Sequence, residues 1–168
     1  DHLGDGGPGS LAPWTKAIHN GADDNASGTA ALLEVARRLA GQDAKPRRRI
    51  GFLAFSGDER GLLGSSYYVS NPAVPLEKTA AMVNMDMVGR LNDNKLIISG
   101  TGTATSFDGL IDETNKRYEF DIKKDPGGYG PSDHASFYGK QIPVFHFFTG
   151  THNDYHRPSD DVEKINVP

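Results

Sequence analysis

Apolar residues recur at helical spacing between Asp24 and Gly41, where Leu32, Leu33, Val35, Ala36 and Leu39 predict one amphipathic helix. Asp24 or Asn25 is placed to cap it. The nearly continuous apolar run IGFLAF at 50–55 is bounded by charge before it and by Ser56-Gly57 after it, the pattern of a strand buried on both faces. Residues 61–70 read as a second helix and 80–87 as another core strand. A strand at 95–99 is entered through the Asn92-Asp93-Asn94 turn. A helix at 107–117, a strand at 119–123, a short helix at 132–138 and a last apolar strand at 143–148 complete the pattern. Alternating helices and strands predict an α/β layer fold.

Composition narrows this picture. With 168 residues, 36% hydrophobic and 24% charged, the chain suits one globular domain over 1–168, with no visible linker or repeat. A net charge of -4 argues against a nucleic-acid partner, and the basic run from Lys45 to Arg49 is interrupted by Pro46. There is no cysteine, so disulfides and thiolate metal sites are excluded and any metal must be held by carboxylates and histidines. No apolar run reaches membrane-spanning length. The chain starts without an initiator methionine or signal peptide, so its amino terminus is expected to be an excision point.

Five clusters carry candidate chemistry: Asp1-His2, Asp23-Asp24-Asn25, Asp58-Glu59, Asn84-Met85-Asp86 and Tyr155-His156. Three fall at predicted strand ends, and ligands of open α/β sheets gather outside the carboxyl ends of the strands. Asp24, Glu59, Asp86 and His156 supply a mixed oxygen and nitrogen set suited to zinc. Two such ions about 3.5 to 4 Å apart can share a hydroxide, with Asp58 beside them as the proton-accepting base. Each cluster also has an ordinary reading. Asp23-Asp24-Asn25 fits a helix cap, Asn25-Ala26-Ser27 a glycosylation acceptor, and Asp58-Glu59 a solvated loop. Asp86 differs, because a charge inside the apolar stretch 81–88 needs a ligand or a partner. His19 reads as a loop residue, His134 as a local hydrogen-bonding partner and His146 as a strand residue. Spacing alone does not separate His152 from His156. The Gly- and Thr-rich stretch 100–106 lacks a lysine and reads as a surface loop, and neither a His-Glu-x-x-His nor a Gly-x-Ser-x-Gly motif is present.

Over nearly its whole length the chain resembles the di-zinc aminopeptidases, a family that includes aminopeptidase Y, secreted bacterial leucyl aminopeptidases and glutamate carboxypeptidases. The resemblance is carried by NGADDNASG at 20–28, GDERGLLGS at 57–65, NMDMVG at 84–89, SDH at 132–134 with Phe137, Ile142-Pro143, and DYHRPSD at 154–160. It implies a three-layer α/β/α sandwich around a mixed, mostly parallel sheet. It also implies that Asp24 bridges two zincs, that Glu59 and His156 hold one, and that Asp86 and an upstream histidine hold the other. Asp58 would be the general base and Tyr155 would stabilise the oxyanion. The family opens its site with His-x-Asp, and Asp1 matches that aspartate, which orients the ligand histidine. His2 is then only a variable neighbour, and one zinc site is incomplete in this chain.

The resemblance further implies strands before Asp1 and a helix after Pro168, hence a fragment truncated at both ends. The expected function is zinc-dependent exopeptidase activity, most simply an aminopeptidase acting on a peptide with a free amino terminus, exported to the periplasm or medium. One departure is Asp58 in place of the usual glutamate base. A non-catalytic, receptor-like binding domain and a single-zinc glutaminyl cyclase share the fold and are the alternatives.

Overall fold

The computed structural model of the protein describes residues 2–44 and 46–166. Its strands are β1 (Met82–Met85), β2 (Lys95–Ser99), β3 (Asp121–Asp125) and β4 (Val144–Phe148), and its helices α1 (Gly28–Ala40), α2 (Leu63–Ser70), α3 (Phe107–Asn115) and α4 (His134–Tyr138). The strands form one mixed sheet in the order β1-β4-β2-β3. β1 runs parallel to β4, with Met82 opposite Val144, and β2 runs parallel to β3, with Lys95 opposite Asp121. β2 meets β4 antiparallel, with Ile98 opposite Phe147.

Successive residues of a strand face opposite sides of a sheet, and β4 shows the consequence. Val144 joins Val69 of α2, Phe137 of α4 and Ile142 in one core cluster, while Phe145 joins Ile98 and Ile111 of α3 in another. The sheet is therefore packed between α2 and α4 on one side and α3 on the other, a layered α/β arrangement. Because β1 and β4 are parallel, their carboxyl ends lie at the same edge. Asp86 directly follows one and the 149–156 loop follows the other.

The expected strand at 50–55 does not form. Among the described residues nothing pairs with it, and Ile50, Phe52 and Leu53 are 45%, 39% and 41% exposed. A continuous apolar run becomes a buried strand only where neighbours flank it on both edges, and the described residues provide none. Its last residue is anchored, since Phe55 packs between Tyr68 and Phe137 at ring-centroid distances of 5.8 and 6.0 Å. Asp58 and Glu59 thus still start from a fixed point. The 100–106 stretch is also corrected: Gly100 and Thr101 are buried, and Thr103 Oγ1 accepts the Val144 amide at 3.0 Å, so the loop closes on β4.

Candidate metal centre

Asp24 sits in the turn Ala22–Ser27 that leads into α1. Gly28 opens the helix, and a Cβ there would collide with the Met85 carbonyl and the Asn25 side chain, so only glycine lets α1 close on the end of β1. Asp58 and Glu59 form a single 3-10 turn bracketed by Gly57 and Gly61, at φ 74 and 91. Those left-handed positions let the backbone turn back immediately after Phe55.

These turns bring four side chains together. His156 Nε2 lies 3.1 Å from Glu59 Oε2 and 3.2 Å from Asp24 Oδ2. His2 Nδ1 lies 3.3 Å from Glu59 Oε1 and 4.0 Å from Asp24 Oδ1. One donor atom each from His2, Asp24 and Glu59 fall within 4.8 Å of one another, a grouping able to hold a metal ion. Both ring nitrogens of His2 and the Nε2 of His156 are buried without an aligned hydrogen bond, although carboxylates stand beside them. Nitrogen lone pairs and carboxylate oxygens converging without satisfying one another are a donor set that fits zinc. His156 Nδ1 is held by the Gly9 carbonyl at 2.9 Å, which orients the ring and leaves Nε2 for the cluster.

The electrostatics favour a cation. Burial, reinforced by the charges of Glu59 and Asp86, raises Asp24 to about 7. Burial raises Asp58 to about 7 as well, helped by Asp133, Asp86 and Glu59, and its buried Oδ1 has no partner. Asp86 is raised by burial against the opposing hydrogen bond from Ser132 Oγ at 2.6 Å. For Glu59, burial acts upward, but the close approach of His2 together with His156 brings it below its ordinary value. Tyr155 stacks on His156 with ring centroids 3.8 Å apart, and burial plus the surrounding carboxylates push its hydroxyl up to about 12.

The backbone beneath these groups is fastened by side chains. Asn25 donates through Nδ2 to the Met85 carbonyl and accepts through Oδ1 from the Gly28 and Met87 amides, clasping the chain on both sides of Asp86. Asn25-Ala26-Ser27 is therefore a structural clip, with its amide nitrogen engaged. Asp23, fully buried, accepts the Gly89 amide at 2.7 Å, and Ser27 Oγ accepts the Val88 amide at 3.0 Å. Asp160, also fully buried, accepts the amides of Asp23 and Asp24 at 3.0 Å each through Oδ2. Its Oδ1 accepts Arg90 Nη2 at 2.6 Å, and Arg90 Nη1 donates to Asp154 at 2.7 Å.

The residues singled out in the sequence are thus distributed as follows. Asp24, Glu59 and His156 are in mutual contact; Asp86 and Asp58 flank them closely enough to raise Asp24 by charge, and Tyr155 stacks on His156. Asp1 lies outside the described residues. His2, expected to be a bystander, is part of the cluster. No local signal could have told it from any other histidine near a chain end. His152, which spacing could not separate from His156, pairs instead with Asp23 at 3.2 Å. His19 is buried, hydrogen-bonded to Ser10 Oγ at 2.8 Å and Ala17 O at 3.0 Å, so it is no loop residue in the solvent sense. His134 is no hydrogen-bonding partner: both its nitrogens are unpaired, and its ring stacks on His146 at 4.4 Å.

The chain is 33% identical over 149 residues to leupeptin-inactivating enzyme 1 of Streptomyces exfoliatus, covering 86% of this chain and 32% of that protein. Among solved structures it is similar to an aminopeptidase from Aneurinibacillus sp. strain AM-1, with 30% identity, a TM-score of 0.76 and coverage of 96% of this chain and 37% of that one. It is also similar to BSAP, a zinc aminopeptidase from Bacillus subtilis, with 29% identity, a TM-score of 0.73 and coverage of 96% and 39%. The chain spans about a third of the length of the curated relatives it matches. The model of peptidase family M28 matches residues 1–168, and the chain belongs to that family.

Proposed function

We propose that residues 1–168 form one catalytic unit of a zinc-dependent exopeptidase, an aminopeptidase that hydrolyses the amino-terminal peptide bond of peptides. The observation that carries this reading is the convergence of Asp24, Glu59, His2 and His156 with buried histidine nitrogens lacking aligned hydrogen bonds. Zinc aminopeptidase BSAP, matched over 96% of this chain, supports the choice of metal and reaction. Asp24 would bridge two ions, with Glu59, His156, His2 and Asp86 as terminal ligands and Asp1 orienting a ligand histidine. Zinc held by these residues would supply Lewis acidity, which polarises a carbonyl and makes water a stronger acid.

The chain's own residues do the rest. Asp58, raised to about 7 by burial and neighbouring carboxylates, can accept a proton from the attacking water near neutral pH and return it to the departing amine. Being one methylene shorter than glutamate, it must stand close to that water. Tyr155 keeps its proton well above neutral pH and can donate a hydrogen bond where negative charge develops on the carbonyl oxygen. The acidic cluster also suits the free ammonium group of a peptide substrate. Among the described residues no helix is long and apolar enough to cross a membrane, and we propose export, to be checked by fractionation of the source cells.

The test is zinc content per chain by elemental analysis after extensive dialysis, alongside hydrolysis of leucyl amide and product analysis on a peptide with amino-terminal glutamine. Two zincs with release of leucine are expected. Cyclisation of the glutamine peptide without hydrolysis, or neither metal nor turnover, overturns the reading.

A further inference from the structure

We propose that Asp160 is a positioning residue that aligns Asp24 with His156, acting through Arg90 and Asp154. This rests on the metal-centre reading above and extends it to a residue that touches neither metal nor substrate there. The Asp160 carboxylate is fully buried, and both of its oxygens are committed. Oδ2 accepts two consecutive amides, those of Asp23 and Asp24, at 3.0 Å each. Its own backbone carbonyl accepts the Ala22 amide at 3.0 Å. Three successive amides on one residue fix the peptide planes of the 22–24 turn, and with them the direction in which the Asp24 side chain leaves the backbone.

The other oxygen ties this turn to the loop that bears His156. Oδ1 accepts Arg90 Nη2 at 2.6 Å, and Arg90 Nη1 donates to Asp154 Oδ2 at 2.7 Å. Asp154 stands two residues before His156 and is braced by Ser159 Oγ and Lys164 Nζ, both at 2.6 Å. Arg90 itself is only 8% exposed, so its planar fork works in a low-dielectric setting where the two bonds are directional. The chain Asp24 amide, Asp160, Arg90, Asp154 therefore spans two elements that are distant in sequence and each contribute a side chain to the cluster. Metal ligands are commonly oriented in this way by groups behind them, and loss of such a group lowers metal affinity about 10- to 100-fold.

The experiment is a competition titration of metal-stripped, full-length protein with zinc and a chromophoric chelator, run on wild type, Asp160→Asn, Arg90→Lys and Asp154→Asn. Near-ultraviolet circular dichroism and a thermal melt report whether each variant is folded. Folded Asp160→Asn and Arg90→Lys should bind zinc about 10- to 100-fold more weakly, with a lower kcat and a nearly unchanged KM for leucyl amide. A purely structural role would lower the melting temperature and leave the zinc affinity of the folded protein unchanged, and that result overturns the proposal. Should Asp160→Asn not fold, Asp154→Asn decides in the same way, because its carboxylate lies at the partly exposed end of the chain. Wild type that binds no zinc defeats the metal-centre reading itself and this inference with it; wild-type affinity in the folded variants defeats only the inference.

Discussion

Two buried polar assemblies sit side by side at the carboxyl ends of β1 and β4, and they are built on opposite terms. Around Asp160 the charges are matched: one carboxylate takes two amides and a guanidinium, and that guanidinium reaches a second carboxylate. Around Asp24 they are not. Asp24 and Glu59 face two histidines while Asp58, Asp86 and Asp133 act by charge on their fellow carboxylates, burial raises Asp24 and Asp58 to about 7, and several buried nitrogens and oxygens lack hydrogen bonds. A matched network rigidifies the backbone, whereas an unmatched cluster of like charges is held together against its own repulsion. The lesson is a division of labour. On the reading proposed above, the first assembly holds the turns in place while the second keeps an excess of negative charge that a bound cation would relieve.

The largest effect should come from removing a charge from the unmatched cluster. Glu59→Gln is expected to lose bound zinc and to lower kcat/KM for leucyl amide by at least about a thousandfold, while the metal-stripped protein folds no worse than wild type. Steady-state kinetics, elemental analysis and a melt decide this together. Asp58→Asn should keep its zinc and still drop kcat by about 10²- to 10⁴-fold, since it removes the base and no ligand. If zinc left with it, Asp58 would belong among the ligands instead.

Damage to the matched network should show first in stability. Arg90→Ala leaves the buried Asp160 carboxylate without its cation, while Asp154 keeps Lys164, at a cost of about 3–5 kcal/mol, read from a denaturant titration. The comparison fails if Arg90→Ala is as stable as wild type.

The smallest effects are those of pH, and they run in opposite directions. Asp58 sits near 7 in the folded chain against an ordinary 3.8, so folding favours its protonated form. Its contribution is full below about 3.8 and is lost as pH rises through about 7. Asp24, raised to about 7 as well, adds to the same trend, so metal-stripped protein should melt lower at pH 8 than at pH 4, and Asp58→Asn should make that slope shallower. His134 is lowered by burial to about 4 from 6.5, so folding favours its neutral ring. That contribution is present above 6.5 and is lost as pH falls through about 4. Between 4 and 6.5 the two effects oppose, and the difference between wild type and His134→Phe isolates the second.

Much of the molecule was legible in one dimension. Periodicity located α1, α2, α3 and α4 and the strands β1, β2 and β4 to within a few residues, because each is amphipathic or apolar enough to be dictated locally. β3 formed two residues later than its pattern suggested, at a polar edge where Asp121, Lys123 and Asp125 point outward and boundaries are weakly specified. The run at 50–55 departs from its pattern for the opposite reason. Its composition is that of a central strand, yet a strand exists only through its neighbours, and this property is not local.

For the centre, the residue types and their order at the sheet end were determined by the sequence: Asp24, Asp58, Glu59, Asp86, Tyr155 and His156 each stand in a motif that says what chemistry they can perform. Which of them touch was decided in three dimensions. The pairing of His152 with Asp23, the arrival of His2, and the roles of Asn25, Arg90 and Asp160 all depend on hydrogen bonds and contacts between segments 22 to 137 residues apart. A motif fixes a side chain's chemistry because that is covalent. Its neighbours follow from how parallel strands bring distant loops to one edge, and no short window of sequence contains that information.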